Sequence, residues 1–161
     1  MSVDKVRQLI DKYGYYVQHV FADLGDGNPP YSYTDGLSYA RKDKFPELVM
    51  ACFEPQLMQT LLNDAVAAMK SGDLQLGGPR FYDRLIQDFD VAIVPIRHQN
   101  STSLLPLPED AEVYLIVLPD SGGLFPWDER CDPSFRRQLA GFDCIAYPGR
   151  NNSPPTTGLL H

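Results

Sequence analysis

Glu47-Leu48-Val49-Met50-Ala51-Cys52-Phe53, an apolar run closed off by Pro46 and Pro55, leads directly into Pro55-Gln56-Leu57-Met58-Gln59-Thr60-Leu61-Leu62-Asn63-Asp64-Ala65-Val66-Ala67-Ala68-Met69-Lys70. The first part has no helical period and is short, which is the pattern of a buried strand. In the second part Leu57, Met58, Leu61, Leu62, Ala65, Val66 and Met69 recur at helical spacing and fill one face. Pro55 suits the first helical turn, where its missing N–H costs nothing, and Gly72 supplies the stop. One strand feeding one long amphipathic helix sets the class: sheet and helix must share a core.

Upstream, Val3, Val6, Leu9, Ile10 and Tyr13 predict a helix over 3–13, with Ser2 as N-cap and Gly14 as stop. Residues 15–21 and 31–37 read as strands, and the turn-rich loop 23–30 between them makes a long antiparallel hairpin. Residues 38–46 read as a charged surface excursion. Downstream, 81–89 fits either a short helix or an extended segment. Val91–Ile96 reads as a strand whose Pro95 demands an edge or a bulge. Residues 97–110 are loop, Val113–Leu118 is the cleanest central strand, a short helix falls near 133–139, and Asp143–Tyr147 is a final strand.

The expectation is therefore an α+β single domain over 1–147. About six strands in a mostly antiparallel or mixed sheet are packed by two main helices. Residues 148–161 form a Pro-rich tail, in which Leu159 and Leu160 are the apolar groups able to make a homo-oligomer contact.

The formal charge is −7, and the densest cationic cluster, Arg130, Arg136 and Arg137, is interleaved with Asp128, Glu129 and Asp132. Nucleic acid and anionic membranes are poor partners for such a surface, whereas a basic protein fits it. The same charge also serves plain solubility. Cys52, Cys131 and Cys144 contain no Cys-x-x-Cys pair, so neither a zinc site nor a dithiol motif is expected. No cofactor motif is present. The first residues lack the apolar core of a signal peptide, and no apolar run approaches the ~20 residues of a membrane span. The expected setting is the cytoplasm.

Three segments carry a resemblance: Tyr31-Ser32-Tyr33-Thr34-Asp35-Gly36-Leu37, Phe45-Pro46-Glu47-Leu48-Val49, and Leu118-Pro119-Asp120-Ser121-Gly122-Gly123-Leu124-Phe125-Pro126-Trp127-Asp128. With Tyr13-Gly14-Tyr15 and Gly72 to Gly77 they resemble, in order and spacing, the bacterial domain-of-unknown-function family numbered 4262, over roughly residues 6–130. The late Pro-Asp-x-x-Gly-x-Phe-Pro-Trp turn is the most specific piece. Residues 98–110 depart from the family's aromatic-rich helix, and 131–161 match nothing in it. The resemblance implies no activity. A fainter similarity links the Thr-x-Gly-Leu strand, the Glu-Leu strand and the long helix to suppressor-of-fused-like domains, whose bacterial forms look like immunity and protein-binding modules.

The candidate binding residues are Tyr33, Thr34, Asp35, Gly36, Glu47, Asp120, Phe125, Trp127 and Asp128. Each has a plainer reading. Asp120 is a natural turn residue, because its carboxylate binds nearby backbone N–H groups. Trp127 is either a plug over the core or an interface anchor. Tyr31, Tyr33 and Asp35 share one strand face, either orienting a ligand or forming a half-buried sheet surface. Glu47 caps backbone donors or faces Asp120 in a cleft.

The sequence holds no nucleophile elbow, paired metal-ligand helix or phosphate loop. Cys131 beside Arg130, with His98 elsewhere, is the one nucleophile candidate. An acid–base pair of Asp120 and Glu47 leaves no local signature. Two readings remain. One is a protein-binding, immunity-like module with an aromatic–acidic lip. The other is an enzyme or small-ligand binder with a carboxylate and tyrosine cleft. Both expect the segments around Tyr33–Gly36, Glu47 and Asp120–Trp127 to converge on one side of the sheet.

Overall fold

A computed structural model of the chain describes residues 3–21 and 27–149. Ser2, the middle of the first hairpin loop and the tail beyond Gly149 lie outside the described residues. Helix α1 (Val3–Tyr13) precedes the antiparallel pair β1 (Tyr16–Val20) and β2 (Tyr31–Asp35). Strand β3 (Glu47–Ala51) and helix α2 (Pro55–Ser71) come after them. Next come β4 (Arg80–Tyr82), β5 (Val91–Ile96) and β6 (Val113–Val117), then the short helix α3 (Pro133–Arg136) with a 3-10 turn over Arg137–Leu139. The six strands form one sheet in the order β1-β2-β3-β6-β5-β4, antiparallel throughout except for the parallel pair β3 and β6. The α+β class with a mixed sheet is thus what the chain adopts.

The sheet is covered on both faces, which is why β3 and β6 are apolar without alternation. On one face α2 lays Met58, Leu61, Leu62, Ala65, Val66 and Met69 against Leu48, Met50, Ile93 and Ile116. Fully burying side chains of this size stabilises by about 1.5–3 kcal/mol each. Leu57, assigned to that face from its spacing, instead stands 44% exposed on the helix flank. On the other face no long helix is present among the described residues. Loops supply Leu105, Trp127, Cys144 and Tyr147, which close over Val49, Val94, Leu115 and Val117.

Pro95 sits where β4 no longer reaches, since β4 pairs only with Val91–Ile93. Its carbonyl accepts the Ile145 N–H at 2.8 Å, so its ring nitrogen points to the same side. There the expected final strand is reduced to an isolated bridge between Ile96 and Cys144. The ladder stops because proline has no hydrogen to return to Ile145, and because Asp143 gives its N–H to Ser101 Oγ at 2.8 Å. The sixth strand is β4, drawn from the ambiguous segment. Cys52, read as part of an apolar strand, lies one residue past β3 with φ 80° and turns the chain towards α2.

Candidate functional site

The N-terminal end of β3 is built around one buried carboxylate. Glu47 is fully buried and accepts five hydrogen bonds. Thr34 Oγ1 and Ser38 Oγ donate at 2.7 Å, and the N–H groups of Ser38, Gly36 and Leu37 donate at 3.0, 3.1 and 3.3 Å. Thr34 Oγ1 in turn accepts the Leu48 N–H at 2.9 Å. The Thr-x-Gly-Leu and Pro-Glu-Leu segments are therefore two halves of one interlock. Burial pushes the Glu47 carboxyl above its ordinary pKa, and the donors from Ser38, Thr34 and Gly36 pull it part of the way back. Gly36 has φ 127°, and a Cβ there would lie 3.0 Å from the Gly14 carbonyl oxygen and from Tyr15 Cα. Only glycine fits.

Around this interlock the tyrosines serve the core. Tyr31 and Tyr33 are buried, their ring centroids 6.3 Å apart, and Phe142 meets Tyr31 edge-on. The Tyr31 hydroxyl donates to the Leu104 carbonyl at 2.7 Å. Burial, then the neighbouring Asp35 charge, pushes the Tyr33 phenol up to about 12. Asp35 accepts the Tyr39 hydroxyl, and burial together with that bond raises the Tyr39 pKa.

The opposite end of the sheet carries the second constellation. Asp120 Oδ1 accepts the N–H groups of Gly122 and Leu124, and Oδ2 accepts that of Asp132, all at 2.9 Å. These backbone donors, Asp132 first, hold its pKa below the ordinary value. Asp120 thus locks a turn and ties the 132 segment to it. Beyond it runs an aromatic row. Phe81 and Phe125 centroids are 5.4 Å apart, Phe125 stacks on Trp127 at 5.0 Å with planes 5° apart, and Trp127 meets Tyr147 at 4.7 Å. Trp127 is 9% exposed and plugs the loop-covered core. Phe81 is 38% exposed, and Phe89, 37% exposed, lies against Gly123.

A shallow groove of about 580 Å³ runs along this row and is edged by Asp128, Glu129 and Arg130. Asp128 is engaged by Arg130 Nη2 at 3.3 Å and by the Arg130 N–H at 2.9 Å, which lower its pKa. Glu129, whose charge also acts on Arg130, and the exposed Asp88 and Asp90 that flank Phe89 supply negative charge beside the row.

The expected convergence does not occur. Glu47 is level with Val113 at the start of β6, whereas Asp120 lies beyond the end of that strand. The parallel pairing therefore sets Thr34, Gly36 and Glu47 at one end of the sheet and Asp120, Phe125, Trp127 and Asp128 at the other. A cleft joining Glu47 and Asp120 is not formed. The Cys131 nucleophile also fails. Burial, then the nearby Asp120 charge, pushes its thiol up to about 11, and Sγ donates to the Leu124 carbonyl at 3.4 Å. His19 Nδ1 lies 2.6 Å from Ser32 Oγ, and Nε2 lies 2.9 Å from Gln59 Oε1. Ser32 is fully buried between strand and helix, so this pair pins α2 to the sheet and presents no hydroxyl to a substrate.

Phe81, Phe89 and Tyr147 were not singled out from the sequence. No local pattern marks them, because the row assembles from four separate segments. Among the described residues no cluster of His, Cys, Asp or Glu could hold a metal, and no helix is long and apolar enough to cross a membrane.

A family model described as Domain of unknown function (DUF4262) matches residues 9–132. That span contains both the Glu47 interlock and the Asp120 turn. No curated protein and no solved structure matches the chain.

Proposed function

The chain belongs to the DUF4262 family, and from that premise we propose that it is a protein-binding module that takes a basic partner on the aromatic–acidic lip formed by Phe81, Phe89, Phe125, Asp128 and Glu129. The observation that carries this reading is the aromatic row itself. Trp127 and Tyr147 anchor it in the core, and Phe81 and Phe89 leave over a third of their surface in water. Phe81 is backed by Phe125 and, through it, by Trp127, and an aromatic held in this way at the centre of a contact is the usual energetic anchor. The exposed carboxylates beside them, Glu129, Asp88 and Asp90, would steer a cationic surface into place.

The competing reading, an enzyme or small-ligand binder with a carboxylate and tyrosine cleft, is left without the Glu47–Asp120 pair, because both carboxylates accept backbone donors at opposite ends of the sheet. Within the proposed reading, an immunity-like role is the finer form and draws on the resemblance to suppressor-of-fused-like domains. Three free thiols accord with the cytoplasmic setting proposed for it. Residues 1–147 are proposed to act as one unit, with 148–161 appended.

The test is capture of partners from the native cell by wild type, by a Phe81→Ala/Phe125→Ala variant and by Glu129→Lys. The expected result is a cationic protein held by wild type, released by added salt and lost from both variants. Recovery of the same proteins by all three baits would reject the lip as the binding surface.

A further inference from the structure

At the end of the sheet far from the lip, a groove of about 1100 Å³ opens between α1, the end of β2, the loop 39–45 and the last turn of α2. Its apolar surface comes from Val6, Ile10 and Phe45, with Leu37 buried beneath them. Arg7, Arg41, Lys42 and Lys70 stand around it, together with Asp11, Asp35 and Asp43. Four cations against three carboxylates leave the lining positive by one, on a chain whose formal charge is −7. Asp11 and Asp43 are exposed like the cations, so the lining is of mixed charge with one cation in excess. Asp35 is occupied by the Tyr39 hydroxyl, while Arg7, Arg41 and Lys42 are exposed.

Lys70 is held in place. Its Nζ donates to the Tyr13 carbonyl at 3.1 Å and lies 5.4 Å from the centroid of the Tyr15 ring. An ammonium has three donors, so with one on the Tyr13 carbonyl and the Tyr15 ring beside it at least one stays available to a guest.

We propose that this groove binds a small amphipathic anion, an acyl or aryl body carrying a carboxylate or phosphate head. The apolar body lies on Val6, Ile10 and Phe45, and the head sits between Lys70 and the Arg41–Lys42 pair. Three things select this class. The volume suits a small molecule. The apolar floor excludes a fully hydrated ion. A lining positive by one on an otherwise acidic molecule favours an anionic guest over a cationic one. The proposal is independent of the lip and of any protein partner.

The experiment titrates the full chain with anilinonaphthalene sulfonate, an aryl anion, and with its uncharged counterpart N-phenylnaphthylamine. Saturable one-to-one binding of the sulfonate is expected, about tenfold tighter than the neutral dye at low salt. Arg41→Glu/Lys42→Glu, and separately Arg7→Glu, should each weaken it severalfold, while Phe81→Ala/Phe125→Ala leaves it unchanged. Displacement by decanoate assigns an acyl carboxylate, and displacement by phenyl phosphate assigns a phosphate head. Equal binding of the neutral dye, indifference to both charge reversals, or loss in the lip variant would overturn the proposal. So would displacement by neither competitor. A concentration-dependent oligomer that excludes the dye would also overturn it, by showing that a second copy fills the groove.

Discussion

The side-chain amide of Gln138 pairs with both backbone groups of Leu118: Oε1 accepts the Leu118 N–H and Nε2 donates to the Leu118 carbonyl, each at 2.8 Å. Leu118 is the residue after β6, in the middle of the sheet, where β3 has already ended and turned away at Cys52. A buried side chain thus does what a residue of a neighbouring strand would do. Nε2 also donates to the Phe135 carbonyl at 2.9 Å, so the same amide staples the 133–139 turn to the sheet. Gln138→Ala is expected to destabilise the chain by about 2–4 kcal/mol, because two buried backbone groups lose their partner. Gln138→Leu, which keeps the volume, should not recover that loss. Urea unfolding of both variants measures it.

Glu47→Ala should be among the most damaging single changes, costing about 3 kcal/mol or more, since three backbone N–H groups and two hydroxyls lose their acceptor in a dry site. Glu47→Gln should cost less, because one oxygen still accepts. A Glu47→Ala variant as stable as wild type in urea would contradict the interlock.

Asp120 and Glu47 give opposite pH signatures. Asp120 is held below its ordinary pKa, so its contribution is present above the unfolded value, about 3.9, and is lost as pH falls through the folded one. Glu47 is raised, so its contribution is full below the unfolded value near ~4.3 and declines as pH rises through the folded one. Melting temperature should therefore fall less steeply with acid in Asp120→Asn than in wild type. Identical acid limbs would show that the three backbone donors do not set the Asp120 pKa.

The thiols are expected to be inert in the folded chain. Burial pushes Cys52, Cys131 and Cys144 each up to about 11. Because the thiolate is the nucleophile, alkylation by iodoacetamide near neutral pH should be about a hundredfold slower than for an exposed cysteine. In denaturant all three should react. Fast labelling of Cys131 in the native state would reopen a nucleophilic role for it.

Trp127 and Phe81 should part company on truncation. Trp127→Ala removes a plug stacked on Phe125 and tilted against Tyr147, and should cost about 3–5 kcal/mol. Phe81→Ala, at the exposed end of the same row, should cost about 1 kcal/mol or less. Comparable losses measured by urea unfolding would make the whole row structural and leave the lip without an anchor.

Much of this architecture could be read from residue patterns. The α2 period, the apolar β3 and β6 runs and the Gly14 and Gly72 stops are local signals, and each produced its element. The features that escaped such reading depend on partners distant in the chain. Arg80–Tyr82 is a strand only because β5 runs beside it. Asp143–Tyr147 has strand-like composition yet meets a proline and a competing serine. The separation of the site residues has the same origin. Had β6 run antiparallel to β3, Asp120 would have returned beside Glu47, but strand direction is decided by the path of the intervening chain. Asp120 as a turn lock was readable from its neighbours, whereas the four-segment aromatic row was not.

Pro95 has a consequence for solubility. Past the end of β4 the edge of β5 would otherwise offer unpaired backbone groups on which another chain's strand could template. Proline removes the donor, and the single bridge from Ile96 to Cys144 shields the last residue of the strand. Growth of an intermolecular ladder is interrupted at this stretch before it can begin. A Pro95→Val substitution would restore a donor on the side of Ile145, let residues 143–145 zip further along β5 within the chain, and move the open edge outward onto that new strand.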